Sequence, residues 1–195
     1  MEKQNNVEDY FSTKKTTFRA LLESTKKWKE IYNQAESKTA AVFASIILIV
    51  LCINYYHTDF SVYMDLLKEI TMFAIQSSVG LLGFIISGLA IFTGTITNKL
   101  VKNINSDKKA DSLIGILFSF YFIGMIIAVS VAVYLIAYIF LNSNFMFSII
   151  KLIISASICL YLYFFTIFYT VSLLGTCIRI FLVSYKYSKD KEDKK

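Results

Sequence analysis

The 195-residue chain has no proline, one histidine, one tryptophan and only three cysteines. Each shortage excludes something. Without proline, a usual cause of broken or kinked helices is missing. With His57 as the sole histidine and no CxxC or HExxH, a zinc site of ordinary composition is excluded. Cys52, Cys159 and Cys177 all fall inside long apolar stretches and are odd in number, so neither a disulfide framework nor a metal spacing follows. Cys52 and Cys159 fall in the same half of the expected membrane layer and could approach one another, although buried thiols ordinarily behave as small hydrophobes. There is no GxSxG, Walker loop or repeated acidic metal motif. Catalysis is therefore not expected, and neither a cofactor nor a metal is implied. The apolar stretches also lack charge at mid-depth, which argues against proton coupling and against a voltage sensor.

What the chain does have is apolar length. It is 56% hydrophobic and 16% aromatic, with a mean hydropathy of +0.57, more apolar residues than a soluble domain of this size covers with polar surface. Four stretches each reach roughly 18 to 20 residues or more, which is what a helix needs to cross a hydrocarbon core of about 30 Å. The fold class expected is an all-α integral membrane protein with four transmembrane helices preceded by a cytoplasmic amphipathic helix. Its parts are an N-terminal segment 1–39, a four-helix domain 40–183 with spans at about 40–56, 72–97, 112–141 and 147–183, and a charged tail 184–195. The charged segment 1–39 ahead of the first span is wrong for a cleavable signal peptide. The first span reads as a permanent anchor.

Basic residues fix an orientation. Of the twenty Lys and Arg, all but Lys68 and Lys151 lie in residues 1–39, in 98–111 or from Arg179 onward. By the positive-inside rule both termini and the middle loop are cytoplasmic and the other two connections are outside. The net charge of +6 then faces the anionic lipid of the inner leaflet, which accounts for it without nucleic acid. Residues 7–36 repeat apolar side chains at spacings of three and four (Phe18, Leu21, Leu22, Trp28, Tyr32), while Arg19, Lys26, Lys27 and Lys29 occupy other faces. Two placements suit such a helix. Trp28 and the basic side chains fit the headgroup region, and the same helix can instead pack on a partner protein or on another copy.

Span two carries the most structured pattern. Gln76, Gly80, Gly83, Ser87, Ala90 and Gly94 follow one another at alternating steps of four and three, which sets six small or polar residues on one stripe of a helix. Such a stripe is expected to face protein at the centre of the bundle or of an oligomer, because helix association in lipid depends on close contact and interhelical hydrogen bonds. The alternative role is to line a pore between copies, or to hinge. Gly124, Ala128 and Ala132 form a second small-residue ridge on span three. Residues 57–71 are expected to form an outer connection holding a short interfacial helix capped by Asp59. His57, Asp59, Asp65 and Glu69 there form a cluster in which His57 with Asp59 could hold a proton or a divalent cation weakly, although ordinary solvated charges suffice. Ser155, Cys159, Tyr163, Thr166, Tyr169 and Thr170 of span four lie at membrane depth, where their hydroxyls need partners or water.

Two functions compete. One is a non-enzymatic bacterial inner-membrane protein, homo-oligomeric, that senses or anchors for a cytoplasmic partner, as in a stress or phage-defence system. The other is an oligomeric channel or membrane-disrupting pore effector lined by the span-two stripe. Partners expected are the lipid bilayer, other copies of the chain and a cytoplasmic protein.

Overall fold

The computed structural model describes residues 35–95, 110–143 and 149–192, and within them the chain forms four helices: α1, Ala35–His57; α2, Phe60–Thr95; α3, Ala110–Asn142; and α4, Ile149–Glu192. Each is long and apolar enough to cross a membrane. At 1.5 Å per residue, the 23 residues of α1 span about 35 Å and the 44 of α4 about 66 Å. The amphipathic segment with Arg19, Lys26, Lys27, Trp28 and Lys29 lies outside the described residues.

The helices outrun the spans read from hydropathy. The expected outer connection over residues 57–71 shrinks to Thr58 and Asp59, and α2 runs unbroken from Phe60. Asp65, Lys68 and Glu69 lower the local hydropathy without interrupting a helical backbone; Asp65 and Lys68 instead pair across one turn at 3.0 Å. Asp59 does hold the cap position, its carbonyl accepting the Tyr63 amide at 3.0 Å. The corner is fixed from both sides. Thr58 donates its hydroxyl to the Asn54 side-chain oxygen at 2.7 Å, and Tyr55 meets Tyr63 edge-on with ring centroids 5.3 Å apart. Beyond span four, the chain does not leave the helix at Val183 but continues in α4 to Glu192.

The helices bury their side chains in two clusters, one at each end of the bundle. At the turn end, which holds the α1–α2 corner, Ala44, Leu51, Tyr63, Leu67, Leu152 and Leu160 pack together. At the opposite end, the start of α1 and the end of α2 meet the start of α3 and the second half of α4 through Ala40, Phe92, Phe120, Phe122, Phe165 and Tyr169. Aromatic pairs tie this end across helices, with centroids 5.9 Å apart for Phe92–Phe120 and 6.1 Å for Phe122–Tyr169. The main pairings are α1 with α4 and α2 with α3; α4 also meets α3 and α2, whereas α1 touches α2 little. The expected α3–α4 hairpin is thus in contact, but each of its helices has another as principal neighbour. Outward, the bundle presents Val42, Ile46, Ile49, Ile86, Ile91 and Ile139, each more than half exposed. An apolar surface this extensive belongs against lipid.

Candidate functional site

The stripe of span two is on the outside. Gln76, Gly80, Gly83, Ser87, Ala90 and Gly94 are all exposed, and a Cβ added at Gly80, Gly83 or Gly94 would meet nothing within 4 Å. Within one chain this stripe does not form the centre of the bundle. The face that does is nearly the reverse one, with Ala74, Ser78, Ile85 and Phe92 buried at steps of four, seven and seven. The reason is volume. Once large side chains at 85 and 92 fill the groove against α3, the glycine side is left over. The glycine that makes the close approach is Gly88, where an added Cβ would stand 3.2 Å from Phe120 Cε1. Gly88 lies off the small-residue stripe, and only the pairing of α2 with α3 singles it out. The second ridge splits in the same way: Gly124 sits against Ile85, while Ala128 and Ala132 are exposed.

The hydroxyls at depth resolve mainly into their own helices. Thr166 donates to the Tyr163 carbonyl at 2.8 Å, Thr170 to that of Thr166 at 2.7 Å, and Ser87 to that of Gly83 at 2.9 Å. Thr93, in the Thr-rich end of α2, likewise returns its hydroxyl to Leu89 at 2.9 Å. Returning a hydroxyl to the helix carbonyl satisfies the donor without recruiting a partner. Interhelical bonds are fewer. Ser37 and Tyr161 share one at 2.8 Å between α1 and α4, Ser172 donates to Glu36 at 2.5 Å, and Ser77 meets Tyr163 at 3.4 Å. Among the described residues, the Ser78 hydroxyl is buried with no hydrogen-bond partner.

Clefts interrupt the packing of the described residues, two of them at sites the sequence reading touched. The larger, about 760 Å³, lies in the turn half of the bundle and is walled by α2, α3 and α4, with Ile47 and Leu51 of α1 at its edge. Ser155, Cys159 and Tyr163, expected at membrane depth, line it. The smaller, about 300 Å³, runs between α2 and α4 beside Gly88 and Cys177. All three cysteines are free thiols. The His57, Asp59, Asp65 and Glu69 set does not converge, and among the described residues no three His, Cys, Asp or Glu side chains come together as a metal site. At the aromatic end Phe118, Phe120, Phe122, Ile123 and Phe165 are all buried, as are Ser119, Thr166 and Thr170.

Comparison with protein-family models, curated proteins and solved structures yields no match to this chain. The reading of function rests on its own residues.

Proposed function

We propose that the chain is a non-enzymatic inner-membrane protein of a bacterium that self-associates along the exposed face of α2 and acts as the membrane arm, a sensor or anchor, for a cytoplasmic protein. The observation that carries this reading is α4. It touches each of the other three helices, then continues as helix from Ile180 to Glu192 beyond the apolar part that ends at Arg179, about 20 Å at the rise of an α-helix. A helix packed throughout the bundle and projecting from it is suited to carry a change of packing to whatever binds its end. The distribution of Lys and Arg favours placing that end in the cytoplasm, together with the amphipathic N-terminal segment. Self-association is favoured by the uncovered stripe, since small residues let backbones approach and Gln76 gains a partner it lacks in lipid.

Native mass spectrometry of the complex, extracted gently from its own host, tests the reading. A second, soluble protein at fixed ratio is the expected result, lost when residues 1–36 or 184–195 are removed. A bare homo-oligomer, with biological effect intact after either deletion, would sink it.

The second reading, a pore between copies lined by the same stripe, is favoured by the exposure of Gln76 and Ser87 on a bundle whose aromatic end is closely packed. Replacing Gly83 or Ser87 with Leu should then abolish conductance while insertion persists; unchanged flux counts against it.

A further inference from the structure

The two halves of the bundle are filled by different kinds of side chain. Around the axis at the opposite end stand Phe92, Phe118, Phe120, Phe122, Phe165 and Tyr169. In the turn half the wall includes Ala74 of α2, Ala137 of α3, and Ser155, Ala156 and Cys159 of α4, beside Phe73, Tyr134, Phe140, Tyr163 and Phe164. The short side chains leave a gap that the aromatic ones do not close. The cleft of about 760 Å³ is their consequence, and its size falls within the range of roughly 300–1,000 Å³ typical of small-molecule pockets.

Its chemistry is lopsided. Most of the wall is aliphatic or aromatic, and one cation, Lys151, belongs to the lining and is exposed. Among the described residues the salt bridge formed is that of Lys68 with Asp65, which leaves Lys151 without a carboxylate. An apolar cavity does not hold water. In a bilayer the molecules beside it carry acyl chains, and the wall matches such a chain while the ammonium group matches an anionic head. An ion pair at this depth also offsets the cost of a lysine near hydrocarbon.

We infer that the turn-half cleft is a binding site for one anionic phospholipid, with an acyl chain against Ala137, Ala156 and Cys159 and its phosphate paired with the Lys151 ammonium group. The site lies within a single copy, on α2, α3 and α4 with Ile47 and Leu51 of α1 at its edge. It requires neither self-association nor a cytoplasmic partner, so it stands or falls apart from the proposed function.

The test uses the full chain reconstituted in vesicles of equal phosphatidylglycerol and phosphatidylcholine, then released for native mass spectrometry. The expected result is one phosphatidylglycerol retained per chain with about tenfold preference over phosphatidylcholine. Lys151→Gln should erase the preference while a lipid is still retained. Ala156→Phe, which fills the cleft from α4, should remove the retained lipid with no fall in unfolding temperature; Ala137→Leu, filling it from α3, serves the same purpose if the first variant fails to fold. Equal retention of the two lipids by the unaltered protein would overturn the inference. So would full retention of phosphatidylglycerol by both cleft-filling variants.

Discussion

Glycine means different things at different positions of α2. At Gly80 and Gly83 a side chain would enter open space, so Gly80→Leu should change the stability of a dilute, monomeric chain in detergent by no more than about 0.5 kcal/mol, the range of substitutions away from packed features. At Gly88 the Phe120 ring stands in the way, and Gly88→Leu should cost about 1–3 kcal/mol as an overpacked contact does. Unfolding by SDS titration in micelles separates the two, and equal effects would mean that α2 is rotated from the position described. The buried hydroxyls give a second contrast at the same scale. Ser78 Oγ has no partner, so Ser78→Ala should be neutral or stabilising by up to about 1 kcal/mol. Tyr161→Phe removes a bond that links α4 to Ser37 of α1 and should cost about 0.6 kcal/mol, typical of an interhelical hydrogen bond in a membrane protein. The same titration reads both.

Helix type was legible and helix facing was not. Length and apolar content announce four spanning helices, because a bilayer demands the same length from any sequence. The rhythm of small residues from Gln76 to Gly94 announces a surface for close approach, but an identical rhythm serves a contact inside the chain or one between chains. What decides is the volume opposite, held by Phe120 and Ile123 some thirty residues or more away in sequence. Boundaries misled for a related reason. A hydropathy profile drops at Asp65 and Lys68, yet backbone hydrogen bonding passes through both, so α2 begins at Phe60. The cleft depends on which short side chains face one another across three helices, and no local pattern carries that. For the exposed face of α2, the double variant Gly80→Leu, Gly83→Leu should lower the oligomer fraction by roughly tenfold, as crosslinking in native membranes would report, while leaving the monomer folded. For the projecting part of α4, amides of residues 184–192 should show hydrogen-exchange protection. Ser184→Pro, at about 3 kcal/mol for proline inside a helix, should erase it there and spare the residues before Arg179.

Taken whole, the bundle is asymmetric in connectivity as well as in filling. α4 meets all three other helices, and α1, the first in sequence, has α4 as its main neighbour and almost none of α2. The free thiols follow the same plan: Cys52 on α1 and Cys159 and Cys177 on α4 remain separate. Alkylation of the protein denatured without reductant should therefore label three thiols, and a count of one would establish a disulfide that the packing does not contain. The order of helices along the chain also has a meaning for synthesis. A ribosome delivers α1 first and α4 last, at about 5–20 residues each second, so α1 must wait in the bilayer while about ninety residues are made before the helix it binds begins to arrive. Until then its Ser37 and Glu36 have neither Tyr161 nor Ser172 to bond. A chain stopped short of α4 is an unpaired membrane segment, open to quality-control proteases, and full-length completion becomes the step that protects everything made before it.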